Sequence, residues 1–181
     1  MKKLILIACS FLFVLATQAQ IKKAELTATG LTCAMCSNAI NVALKDLSYV
    51  DKVVVDIKKS EYRITFKEGA DVSIDGLKNA VEDAGFSVGK LNITASFDNV
   101  AVSNDAHISY KGNTLHFLEI KNQTLNGEKS FTVVDKGFLT DKQFKKYAAA
   151  TKMSCVQTGK AAGCCVNDNV KEGSRIYHVT I

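Results

Sequence analysis

Two cysteines three residues apart, in Gly30-Leu31-Thr32-Cys33-Ala34-Met35-Cys36-Ser37, are the residues of this chain best placed to do chemistry. A pair of thiolates at that spacing can grip one polarisable metal ion. The same pair can also cycle between dithiol and disulfide. The bare spacing does not choose, because redox motifs and half zinc sites share it. Met35, between the two, reads as pointing away or packing as a flexible apolar filler rather than as a weak third ligand.

A second sulfur group lies far along the chain: Met153, Cys155, Cys164 and Cys165, with Gly159 and Gly163 loosening the loop between them and His178 as a candidate neighbour. Three fates are open for it. Cys155 can bond to Cys164 or Cys165 and clamp the loop, the sulfurs can form a second soft-metal site fed from Cys33 and Cys36, or the thiols can stay unpaired. A bond between the adjacent Cys164 and Cys165 is disfavoured, since neighbouring Cα atoms are only about 3.8 Å apart. Met153 and Cys155, two apart, read as one side of a strand. His107, His116 and His178 lack ligand spacing and read as strand or surface histidines.

The compartment bears on both groups. Residues 1–19 have the form of a secretory signal: Lys2 and Lys3, an apolar run, then Thr17-Gln18-Ala19. The run is shorter than the roughly 20 residues a membrane span needs. A lipoprotein signal through Cys9 is the less favoured form, because the apolar run continues past it. The expectation is a periplasmic or secreted chain cut near Ala19. Of six cysteines, five then remain, an odd number that argues against a pure disulfide framework. The net charge is +5, of which Lys2 and Lys3 supply two units, and the other charges are scattered. That leaves no footprint for nucleic acid. There is no proline in the 181 residues and no Gly/Ser-rich run, so two domains, 20–95 and 96–181, are expected to be joined by something short.

The elements that must position the first pair are legible. Residues 24–29 alternate as a strand, and Gly30 turns the chain out of it. Ile40, Ala43, Leu44 and Leu47 form a helical stripe behind Cys36. Residues 53–57 and 61–67 are strands, the second putting Tyr62, Ile64 and Phe66 on one face. Ser73 caps a second helix with Ile74, Leu77, Val81 and Ala84 inward, and Gly85 ends it. Residues 91–95 alternate again. Strand, helix, strand, strand, helix, strand is the ferredoxin-like βαββαβ order, with both helices on one face. It puts Cys33 on an exposed loop and Cys36 at a helix start, where amide dipoles favour the thiolate.

Gly30, Thr32, Cys33, Cys36 and Ala80-Val81-Glu82-Asp83-Ala84-Gly85-Phe86 together resemble the heavy-metal-associated domain family, the small copper chaperones and N-terminal modules of metal-pumping ATPases, over residues 24–93. Leu31 stands where the family often has methionine, an apolar exchange of similar volume. The resemblance implies that Cys33 and Cys36 are the metal ligands and that the ion is Cu(I), with Hg, Ag, Cd and Zn as other thiophilic candidates. Zinc would want four ligands. Phe86 falls where copper chaperones often carry lysine and ATPase modules an aromatic, beside the site or in the core. The partners implied are a membrane metal transporter or another metallochaperone.

Residues 96–181 match no family motif. Strands are expected at 97–103, 107–110, 114–121, 131–134 and 175–181, the last with Tyr177, Val179 and Ile181 inward. Asn126-Gly127 suggests a hairpin turn. Thr140 and Gln143 suggest a capping box, with Leu139 and Phe144 as a staple. The expectation is a small mainly-β domain with one helix, of OB type. The whole reads as an exported α+β metal-binding protein that passes its ion on by thiolate exchange and is not an enzyme. The alternatives are a thiol–disulfide oxidoreductase using the same Cys33–Cys36 pair, or an interaction module without transfer.

Overall fold

The computed structural model describes residues 20–168 and 170–181, so the apolar leader and Cys9 lie outside the described residues. Alternating polarity builds β1 (Ile21–Thr29), whose Ala24, Leu26 and Ala28 are buried. Then come α1 (Ala34–Lys45), β2 (Val50–Asp56), β3 (Glu61–Phe66), α2 (Ile74–Asp83) and β4 (Ser87–Val102). Ile40 and Leu44 of α1, and Ile74, Leu77 and Val81 of α2, are buried in one core with Leu26, Ile64 and Ile93. The Ser73 hydroxyl accepts from the Gly76 amide at 3.0 Å to start α2, and Gly85, at φ 87°, lets the chain leave it. These four strands lie in the order β2-β3-β1-β4, the ferredoxin-like arrangement.

The second half does not stand apart from this sheet. The chain continues through β5 (His107–Tyr110), β6 (Asn113–Phe117), β7 (Gln123–Val133), α3 (Asp141–Ala148), the one-turn α4 (Cys155–Thr158) and β8 (Ile176–Thr180). All eight strands form one sheet, β2-β3-β1-β4-β7-β8-β6-β5. The mainly-β character of residues 96–181 is as expected, but their strands extend the first sheet instead of closing into an OB-type barrel. Residue 95 is not a joint, because it lies inside the 16-residue β4. That strand pairs antiparallel with β1 on one side and with β7 on the other, where Ile93 faces both Ala24 and Phe131. Phe97, Phe117, Leu125, Phe131 and Val179 accordingly share a core with Leu26 and Leu91.

Two local expectations are corrected. Asn126-Gly127 makes no hairpin; it lies inside β7, with Gly127 opposite Phe97. The pairing shifts between Phe97 and Val100, with Asn99 at φ 49° and Gly127 at φ 71°, so these residues serve an irregularity in two long strands. β8 is not alternately exposed either. It lies between β7 and β6, parallel to β6, and Ile176, Tyr177, His178 and Val179 are all buried, whereas Ile181 is exposed. A strand covered on both faces loses its period-two signal. The capping interaction at α3 is present: Gln143 Oε1 accepts from the Thr140 amide at 3.3 Å, and Leu139 and Phe144 pack together.

An ion-pair clamp joins the halves. Arg175 Nε and Nη2 donate to the two oxygens of Asp75, in the first turn of α2, at 2.9 and 3.0 Å, and Nη1 lies 2.8 Å from Asp135 Oδ2. Burial alone would raise the Asp75 pKa, but the hydrogen bonds and charge of Arg175 outweigh it and hold the carboxyl below its usual range. A depressed folded-state pKa contributes stability above the unfolded carboxylate value of about 4, which is lost as pH falls through the folded value. Asp75→Asn is therefore expected to destabilise the protein at pH 7, and its gap from wild type should shrink below about pH 4. Urea melts across pH 2.5–7 read this directly; a gap constant with pH would remove Asp75 as its source.

Candidate metal centre

The first sulfur pair sits where β1 hands over to α1. Gly30 has φ 87°, a left-handed backbone that a side chain would strain, and Leu31 packs partly on the core beneath the loop. Cys33 is the N-cap residue, with an extended backbone, and the chain becomes helical at Ala34. Cys33 is exposed and Cys36, in the first turn, is half-buried; both are free thiols. Their Sγ atoms lie 2.8 Å apart, and Thr32 Oγ1 is 3.9 Å from Cys36 Sγ. Hydrogen bonding from the Cys33 side chain and then from the Thr32 backbone brings the Cys36 pKa down to about 7. The helix start adds the positive ends of its free amides. A substantial fraction of Cys36 is thiolate at neutral pH, the form that binds metal.

The neighbours have settled roles. Met35 is 83% exposed and points away from the core, so it does not pack as an apolar filler. Tyr62 is fully buried and donates to the Ser37 carbonyl at 3.2 Å, so it supports the first turn of α1 from below. Phe86 is partly buried against the core and stands beside the loop: a β-carbon on Gly30 would lie 3.9 Å from its Cδ1. Both readings of Phe86 therefore describe the same position.

The distal sulfurs also converge. The Sγ atoms of Cys155, Cys164 and Cys165 all lie within 4.8 Å of one another, with Cys164 and Cys165 3.5 Å apart, and all three are free thiols. Met153 packs partly buried against the same cluster. Cys155 opens the helical turn α4, so the strand expected for Met153 and Cys155 is not formed. Burial raises the pKa of Cys155 and of Cys165, while the Ser154 hydroxyl brings Cys164, the half-exposed member, down to about 7.

The histidines are the larger correction. His107, His116 and His178 do lie on strands, but they are gathered, not scattered. His107 is opposite His116, and His116 is opposite His178, through the β5–β6 and β6–β8 pairings. His116 and His178 are fully buried. Cys155 Sγ is 3.4 Å from His178 Nε2 and 3.6 Å from His116 Nδ1. The far nitrogens face carboxylates: His178 Nδ1 lies 2.6 Å from Asp135 Oδ1, and His116 Nε2 lies 3.3 Å from Asp105 Oδ1. Burial, with the charges of His107 and His178, lowers the His116 pKa to about 3, so its ring is neutral at pH 7. Sequence spacing missed this group because spacing rules describe ligands on one element; here three strands deliver one imidazole each.

The βαββαβ unit, with a dithiol at the loop before its first helix, defines a class of metal-binding modules. Residues 25–87 match the heavy-metal-associated domain. The chain is 37% identical over 59 residues to the copper chaperone CopZ of Staphylococcus haemolyticus, a stretch covering 33% of this chain and 85% of that protein. The chain belongs to the heavy-metal-associated domain family. It is also 35% identical over 66 residues to the copper-transporting ATPase RAN1 of Arabidopsis thaliana, covering 36% of this chain but only 6% of the ATPase. A solved yeast copper transporter domain, Ccc2a, is 32% identical across 36% of this chain and 88% of its own length, at a TM-score of 0.33. Among the described residues no helix is long and apolar enough to cross a membrane.

Proposed function

We propose that this protein binds one Cu(I) ion between Cys33 and Cys36 and passes it on by thiolate exchange, after export from the cytoplasm. The observation that carries the reading is the two free sulfurs 2.8 Å apart on an exposed helix start. Two thiolates suit a soft ion content with few ligands. Cu(I) is favoured over the other thiophilic ions by the copper chaperone and copper ATPase relatives. Exposure of Cys33 lets an incoming thiolate attack the bound ion, form a three-coordinate intermediate and displace one original sulfur. The acceptor is a membrane metal transporter or another metallochaperone. No acid, base or carbon-directed nucleophile is needed, so the role is not enzymatic.

The lowered pKa of Cys36 would equally suit a thiol–disulfide oxidoreductase, the second reading. An anaerobic Cu(I) titration against a chromogenic competitor, run beside a disulfide-reduction assay, separates the two. Tight Cu(I) uptake lost on blocking Cys33 and Cys36, with no reductase turnover, supports the metal reading; turnover without uptake overturns it.

A further inference from the structure

The buried cluster behind α4 carries an inference independent of Cys33 and Cys36. It rests on one mismatch of donors. Asp135 accepts from His178 Nδ1–H at 2.6 Å, a contact that fixes the tautomer and leaves the Nε2 lone pair facing Cys155. Asp105 does the same at longer range for His116, leaving Nδ1 facing the same sulfur. Two imidazole lone pairs therefore aim at Cys155 Sγ from 3.4 and 3.6 Å. A thiol carries one proton and can satisfy only one of them. A cation among the sulfurs, replacing the proton, would take up the His178 lone pair and balance the thiolate charge, with His116 left as a neighbour of Cys155 outside the ligand set.

The spacing fits such a cation. Tetrahedral zinc bonds of about 2.3 Å to sulfur and 2.0–2.1 Å to nitrogen place neighbouring donors roughly 3.5–3.8 Å apart. The observed Cys155–His178 and Cys164–Cys165 separations are 3.4 and 3.5 Å. The other sulfur–sulfur distances, within 4.8 Å, need a small contraction, and His178, which meets the sulfur cluster at Cys155, must turn toward Cys164 and Cys165 as the ion binds. A carboxylate behind the metal-facing imidazole is the outer-shell arrangement of histidine metal sites. We propose that Cys155, Cys164, Cys165 and His178 form a second, closed metal site for a divalent d10 cation of the zinc type, with Asp135 holding the histidine.

Three sulfurs and one nitrogen make a complete four-coordinate set, with no open position for exchange or catalysis. Loading replaces up to three thiol protons, which leave to solvent. Cys164, half-exposed, is the route of entry. The ion would tie α4 and the turn at Gly163–Asp168 to β8. This is a structural metal site, in a protein whose other site must let its ion go.

The test uses the full chain carrying Cys33→Ser and Cys36→Ser, so that failure of the copper reading cannot imitate failure here. Zn(II) and Co(II) are loaded anaerobically and excess is removed by gel filtration. One ion per chain is expected, and the cobalt form should show thiolate charge-transfer bands with the intense visible bands of a tetrahedral site. Cys164→Ser, at a half-exposed position, should keep the apo fold by circular dichroism and lose more than about 100-fold in affinity, the upper figure for outer-shell changes. Asp135→Asn should lose about 10–100-fold. His178→Ala should alter the cobalt spectrum, and His116→Ala should leave it. No retained ion, a six-coordinate cobalt spectrum, or a cobalt spectrum unchanged in His178→Ala would each overturn the proposal.

Discussion

Cys36→Ser is expected to weaken Cu(I) binding at the first site by more than about 100-fold, the size of effect seen when a mere outer-shell partner is removed. The reasoning is direct. A hydroxyl is a hard, neutral donor at neutral pH, so the substitution leaves Cys33 as a lone soft ligand. Cys36 is also the member whose pKa is brought down to about 7, and its thiolate is already populated when the metal arrives. Cys33→Ser should be comparably damaging to affinity, because it likewise leaves a single soft ligand, the half-buried Cys36. Neither change should much alter stability, since no core residue is touched. Competition titration and a thermal melt on each variant check both parts. Unchanged affinity in the double variant would place the copper site elsewhere.

Ile93→Ala should have the largest effect on stability, about 2–5 kcal/mol. Ile93 is fully buried in the middle of β4 and stands between Ala24 and Phe131. Removing its side chain opens a cavity shared by both halves. Unfolding should remain a single transition: exposure of the buried Cys155 thiol to a labelling reagent and loss of far-UV circular dichroism should coincide in urea. Two separated transitions would show that the halves fold alone despite the common sheet. A fragment ending at residue 95 should fare worse than the whole chain, because β4 would lose β7 and become an open edge, a known route to self-association.

How far the sequence led differs between the halves, for physical reasons. In residues 20–95 each signal was local. Ser73 capped the helix after it, Gly30 and Gly85 took positive φ, and the dithiol sat where a strand meets a helix, so order and site could be read together. Beyond residue 95 the deciding facts are long-range. The parallel pairing of β6 with β8 is what sets His116 beside His178, and no window of sequence contains both. Burial on both faces erased the alternation that would have marked β8. Asn126-Gly127 is a strong turn signal that this fold spends on a kink inside paired strands. The cysteines Cys155, Cys164 and Cys165 were found by counting, with His178 as a candidate neighbour; His116 and the carboxylates around them were not found.

The sixteen residues of β4 leave the molecule without an articulation point. Hydrogen-bonded on both flanks, that strand ties the unit bearing the helix-start dithiol and the unit bearing the buried sulfur–imidazole cluster into one sheet. Swinging one half toward the other cannot ferry cargo between them. Under the proposed function, an ion released at Cys36 goes to a different molecule, so the traffic runs outward through collisions and not internally along the chain.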